Sequence, residues 1–300
     1  MVKSTGTGSV LRRLLRGTAL VTLLALTSCA LLPGDRGHDS RPAVVVDTAG
    51  SFRPGLSVSI PDSLAADFTQ LQPSLGGQVG LAIMPVGGGR MTIFGDWTSG
   101  IAWSTIKVPL AIAALRHDSD RSILEDAVAA ITVSDNDAAE QLWQSLGDGL
   151  EAAQAVQDVI DEGGDSTTGV AGPRTRLDYT AFGQTEWTLA NQVRFASRLP
   201  CLPRTSEVTE LMSEITPEQS WGLGTLPGAA FKGGWGPDDD TGIYTVRQFG
   251  VVPTESGMVA VALAAQADSG TYDDATAILS RLAVLLGRHL NELRGGSCTP

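Results

Sequence analysis

The chain has 300 residues, enough for one large domain or two small ones with a sizeable buried core. A composition of 42% hydrophobic and 18% charged residues is that of a globular protein and excludes a mainly disordered one. The formal charge of −12 speaks against a nucleic-acid partner, because phosphate binding needs a basic face.

Lys3, Arg12, Arg13 and Arg16 precede an apolar run from Ala19 to Leu26. The run is too short to cross a bilayer, so residues 1–28 are predicted to be a signal peptide. It ends in Leu26-Thr27-Ser28-Cys29, which resembles a bacterial lipobox. That resemblance implies export and a lipid anchor at Cys29, on the outer face of the cytoplasmic membrane in the cell envelope. Residues 29–57 hold Pro33, Gly34, Gly37, Pro42, Gly50 and Pro54 with few large apolar side chains, as a flexible tether does. Oxidising conditions outside the cell make Cys201 and Cys298 candidates for a disulfide, with two free thiols as the alternative.

From Asp62, Leu64, Phe68 and Leu71 recur at helical spacing and Gly76-Gly77 follows. Gln78 to Val86 alternates as a half-buried strand, and Gly87-Gly88-Gly89 turns it into a second strand through Met91 and Ile93. A long helical block comes next. Its first helix, Ile106 to Leu115, is apolar nearly all round and hence central. Ala138-Leu142-Leu146, Val156-Val159-Ile160 and Leu189-Val193-Ala196 mark three more helices. Ala229 to Lys232, Ile243 to Val252 and Gly257 to Ala264 are predicted strands, and Ile278, Leu282, Leu285 and Leu293 line a final helix. The order predicts an α+β fold: one antiparallel sheet of five strands, flanked by the terminal helices, with an all-helical part inserted at about residues 98–225 of a 58–300 domain.

Ser104-Thr105-Ile106-Lys107 puts a hydroxyl and an amine three residues apart at a helix start, on one face. A serine alcohol needs a neighbour to take its proton, and a lysine can do so when burial and nearby positive charge lower its pKa. The motif alone is weak, since about one Ser-x-x-Lys is expected by chance in a chain this long. Ser134-Asp135-Asn136 is rarer, about once in twenty such chains, although all three residue types also cap helices. Lys232-Gly233-Gly234 lies on the first late strand and Trp235 follows.

In this order the three motifs resemble those of the serine β-lactamases and penicillin-binding proteins, and the flanking elements extend the likeness over residues 58–294. The stretch from Ile131 to Ala139 is especially similar to class A β-lactamases. The resemblance implies that Ser104 is the acylated nucleophile, Lys107 a proton acceptor and Ser134 a relay to the leaving nitrogen. It implies that Asn136 binds a substrate amide and that Lys232 supplies positive field. The backbone N–H groups of Ser104 and Trp235 would hold the oxyanion, and Gly234 would join Asn136 and Trp235 in binding substrate. The partners implied are a small-molecule β-lactam or a peptidoglycan peptide, with no cofactor. No His, Cys or carboxylate cluster points to a metal.

The chain also departs from the family. Thr175-Arg176-Leu177-Asp178 is similar to the start of the loop carrying the deacylating glutamate, but in that register the glutamate position holds Ala181 and the downstream asparagine position Thr185. Glu186 is the nearest later carboxylate, either a deacylation base or an acid at the start of the helix that Trp187 and Thr188 enter. Gly233 replaces the hydroxyl residue that helps hold a substrate carboxylate, and Asp238, Asp239 and Asp240 follow in the hairpin. The bulk of Trp235 is expected to narrow the cleft. The Ser104–Ser134 stretch is about half the family's, which implies a trimmed helical lobe. The leading expectation is a serine hydrolase or acyltransferase with weak deacylation. The alternatives are a binding or scaffold lipoprotein that has lost turnover, and a Ser–Lys hydrolase of other esters or amides.

Overall fold

The computed structural model describes residues 62–298; the predicted signal segment, Cys29 and the tether lie outside the described residues. In chain order the elements are α1 (Asp62–Leu71), β1 (Gly77–Pro85), β2 (Thr92–Gly95), β3 (Ser99–Ile101), α2 (Lys107–His117), α3 (Arg121–Thr132), α4 (Asn136–Ser145) and α5 (Gly149–Glu162). There follow β4 (Glu186–Thr188), α6 (Leu189–Arg198), α7 (Ser206–Leu211), β5 (Ala230–Pro237), β6 (Tyr244–Thr254), β7 (Gly257–Ala267) and α8 (Tyr272–His289).

The main sheet is antiparallel with strand order β2-β1-β7-β6-β5, so β5 is an edge strand. Strand alternation sorts its side chains into two layers. On one face Val79, Leu81 and Ile83 of β1 and Val259, Val261 and Leu263 of β7 pack with Leu64 and Phe68 of α1 and Ile278, Leu279 and Leu282 of α8. On the other, Ala260, Ala262 and Ala264 of β7 share a cluster with α2, α4, α5 and α6. The alanines there let α6 lie close to the sheet, while the branched residues fill the wider gap beneath α8. Each buried Leu, Ile or Phe adds about 1.5–3 kcal/mol relative to exposure, which ties both helical layers to one sheet.

Three differences from the sequence reading have local causes. β3 and β4 form a separate two-stranded ribbon, Ser99↔Thr188 to Ile101↔Glu186, whose three-residue strands are too short to show a period. The sequence reading assigned no helix to α3 or α7. The buried side of α3 is Ile123, Ala127, Ala130 and Ile131, a weak alanine-diluted signal, and α7 has six residues. Finally, β5 runs on through the glycines to Pro237 instead of ending at Lys232.

Cys201 and Cys298 are bonded, with Cα atoms 5.2 Å apart. The bridge ties the turn after α6 to the C-terminal segment, which also pairs Gly296 with Met258 of β7. Closing a loop of 97 residues removes denatured-state entropy worth about 4–5 kcal/mol on the chain-entropy account.

Candidate active site

Ser104 lies in a 3₁₀ turn, Trp103–Ile106, which precedes α2. The sequence reading put it on the α-helix itself; the tighter turn nearly eclipses positions three apart and so keeps Ser104 and Lys107 on one side. Among the described residues three non-glycine residues have left-handed φ, namely Trp103 (51°), Ser134 (61°) and Arg204 (55°). Two of them frame this site, each at a cost of about 1–2 kcal/mol.

Buried contacts hold the turn in that conformation. Thr105 Oγ1 donates to Ala102 O at 2.6 Å and accepts from Gln192 Nε2 at 2.9 Å. Gln192 Oε1 in turn accepts from Arg247 at 3.0 Å, and Arg247 also donates to Gly100 O, Ile101 O and Trp187 O at 2.7, 3.1 and 3.0 Å. Arg247 is wholly buried with its guanidinium 5.0 Å from the centre of the Trp97 ring. Burial lowers its pKa to about 9, against the opposing pull of Glu186. Sequence reasoning missed Arg247, whose only signal is a charge among apolar strand residues.

Two buried lysines meet at Ser134. Lys107 donates to Ser134 O at 2.6 Å, Asn136 Oδ1 at 2.7 Å and Asp135 O at 3.1 Å, and its Nζ stands 3.4 Å from Ser134 Oγ. Lys232 donates to the same Ser134 Oγ at 2.9 Å and to Gly233 O at 3.0 Å. Capping of α4 falls to Asp135, whose carboxylate accepts from Ala138 N–H at 2.9 Å, so the Ser134 hydroxyl is left for the lysines. Desolvation lowers the Lys107 pKa to about 7, although Asp135 works in the opposite direction. Burial, and then the charge of Lys107, hold Lys232 well below the ordinary lysine value. With its oxygen accepting from Lys232, the Ser134 hydroxyl has its own proton free to be donated elsewhere.

The edge of β5 abuts the Ser104 turn. A Cβ on Gly234 would lie 2.8 Å from Ser104 N and 2.9 Å from both Ala102 O and Thr105 N, so only glycine fits without displacing backbone. Phe231 N–H points away from β6 and bonds Met212 O at 2.9 Å. The two-residue strand repeat therefore turns the N–H groups of Gly233 and Trp235 to the same open edge. The ring of Trp235 packs against Tyr272 and Trp221, at centroid distances of 5.5 and 6.1 Å. Crowding comes instead from Trp103, whose ring lies so close that a Cβ on Gly236 would be 2.3 Å from it. At Gly233, Trp221 leaves 3.0 Å for a Cβ.

The structure thus joins Lys107, Ser134, Asn136 and Lys232 by hydrogen bonds and sets Ser104, Gly234 and Trp235 beside them. Ser104 is half-buried, and its hydroxyl makes no hydrogen bond among the described residues.

The loop residues read as substitutes for a deacylating pair have other partners. Ala181 is buried. Thr185 Oγ1 donates to Phe182 O at 2.8 Å and accepts from Ala171 N–H at 3.0 Å, while its carbonyl accepts from Ala102 N–H at 2.7 Å. Glu186 does not open a helix: it lies on β4, exposed, accepting from Ser99 Oγ at 2.6 Å, and Thr188 caps α6. The buried carboxylate Asp165 is engaged by Trp187 Nε1 at 2.9 Å and by the backbone N–H of Thr168 at 3.1 Å. Asp239 of the acidic hairpin is paired with Arg176. Among the described residues no three His, Cys, Asp or Glu are grouped as a metal site.

This fold is that of the class A β-lactamases. A representative class A β-lactamase from Bacteroides cellulosilyticus superposes with a TM-score of 0.64 at 16% identity, over 77% of this chain and 98% of its own. A β-lactamase from Burkholderia vietnamiensis gives 0.59 at 19% identity, over 76% and 96%, and the TLA-3 extended-spectrum β-lactamase 0.61 at 16%, over 77% and 99%. No protein-family model matches the sequence, and no curated protein does.

Proposed function

We propose that the chain is a serine acyl-transfer enzyme of the penicillin-recognising kind, acylated at Ser104 by a β-lactam or a peptidoglycan-like amide and slow to deacylate. The observation that carries this reading is the pair of buried lysines converging on the Ser134 hydroxyl beside the Ser104 turn. In the reaction, neutral Lys107 takes the Ser104 proton as Oγ bonds to the carbonyl carbon. The developing oxyanion lies between the N–H groups of Ser104 and Trp235. Ser134 gives its proton to the nitrogen as the carbon–nitrogen bond breaks, and an ammonium of the pair reprotonates it. Asn136 orients the substrate amide.

Deacylation lacks an evident base, because the register of the family resemblance puts Ala181 and Thr185 where a water-activating pair would stand. These same positions favour the second reading, a binding or scaffold protein on this fold. The proposal extends to the cell envelope: cleavage before Cys29, lipidation there, and a 29–57 tether carrying the domain. Among the described residues no helix is long and apolar enough to cross a membrane.

Incubation of the domain with a fluorescent penicillin, followed over time, tests the reading. A persistent adduct absent from Ser104→Ala is expected. Rapid loss of label with product release would overturn the slow-deacylation part, and no label at all would favour the scaffold.

A further inference from the structure

We infer that Arg176 closes the acyl side of the cleft and so restricts this site to substrates with a small acyl group, an inference that rests on the acyl-transfer reading. Arg176 reaches from the loop preceding β4 to the open edge of β5, donating through Nη2 to Pro237 O at 3.1 Å. It also pairs with Asp239 in the β5–β6 hairpin. Its guanidinium lies 4.1 Å from the ring centre of Tyr179 and 5.1 Å from that of Trp103, and those rings meet edge to face at 5.2 Å.

The loop end of this clamp is itself stapled. Gln184 Oε1 accepts from Thr175 Oγ1 at 2.6 Å and from Arg176 N–H at 2.8 Å. Its Nε2 donates to the carbonyls of Arg176, Tyr179 and Thr180 at 3.1, 3.2 and 3.1 Å. These bonds fix the shape of the loop from Thr175 to Gln184, and Arg176 ties it to Pro237 and Asp239.

Direction follows from chemistry. A leaving nitrogen must face Ser134, which is bonded to Lys232 near the start of β5. The acyl group of the same substrate then points the other way along the edge, toward Pro237. There Trp235 still offers a carbonyl, but the next outward one, Pro237 O, is taken by Arg176, and Trp103 covers Gly236. A short acyl group fits before this wall; a long or branched one meets Arg176 and Tyr179.

Nitrophenyl esters of acetate, butyrate and phenylacetate provide the probe, with the rate of Ser104 acylation read by intact mass. The native domain should acylate faster from acetate than from phenylacetate by about tenfold or more, the scale of discrimination that a few methylene groups produce in a closed pocket. In Arg176→Ala that acetate-to-phenylacetate ratio should fall at least fivefold. Asp239→Ala, a substitution at an exposed hairpin position, should shift it the same way and guards against misfolding of the first variant. A ratio unchanged in both variants, or no preference in the native domain, overturns the inference. No labelling from acetate itself overturns the acyl-transfer reading, and the inference with it.

Discussion

Lys107 and Lys232 approach one oxygen, Ser134 Oγ, from 3.4 and 2.9 Å. Two ammonium groups held this close and out of water disfavour each other's charge, so near neutral pH one of the pair is readily neutral. A neutral amine is what a serine nucleophile needs as a base. The fold pays for that arrangement in strain at Trp103 and Ser134 and in the burial of three basic side chains, Lys107, Lys232 and Arg247.

Acylation should rise with pH. With Lys107 lowered to about 7, its proton-accepting form grows through that value, so the rate should climb about tenfold per unit well below it and level off above. Ester acylation followed from pH 5.5 to 8.5 checks this; a flat profile would remove Lys107 from the role.

Stability should follow the same group with a definite sign. The Lys107 pKa is lower in the folded chain than its ordinary 10.5, so between about 7 and 10.5 the unfolded chain binds more protons. Stability gained from Lys107 therefore increases as pH rises through this window, and below it the burial penalty is fully present. Denaturant midpoints for the native domain should rise from pH 7 to 9 more steeply than those of Lys107→Met.

Ser134→Ala should slow acylation by about 10²–10⁴-fold, the usual worth of positioned proton transfer. Loss of a hydrogen-bond acceptor facing Lys232 should cost about 1–3 kcal/mol of stability. Single-turnover kinetics and thermal melting separate the two effects.

Gly234→Ala should abolish acylation and destabilise by about 1–3 kcal/mol, because its Cβ meets backbone of the nucleophile turn. Gly233→Ala, which meets only the Trp221 ring at 3.0 Å, should be milder. Paired melting curves and ester labelling decide the contrast.

Arg247→Met should lower stability by about 3–5 kcal/mol, since it strips donors from three backbone carbonyls and Gln192 in the core. The Ser104 turn loses its brace through Thr105 as well. The acylation rate should therefore fall even where melting shows the variant folded.

Much of this fold is readable from the chain because its strands and long helices have sustained periods. The spacing of Val79, Leu81 and Ile83 and the apolar face of α8 are examples, although β1 is buried on both faces and not on one, since Gly80, Ala82 and Met84 are covered by the other helical layer. Lys107 and Lys232 were legible as motif members, since their spacing to hydroxyls is local or ordered along the chain. Arg247 was not: its partners Gly100, Ile101, Trp187 and Gln192 are far away in sequence and mostly backbone carbonyls, which leave no residue-type signature. The same holds for the β3–β4 ribbon and for the wedge of Trp103 against Gly236. Glu186 was misplaced at a helix start because the ribbon that contains it is too short to betray a strand.

Acyl transfer as proposed makes Ser104 the residue that forms the covalent bond. In penicillin-treated domain, digested and mapped by tandem mass spectrometry, the added mass should lie on the Ser104 side chain. An adduct on Ser134, on either lysine, or on no residue at all would contradict it.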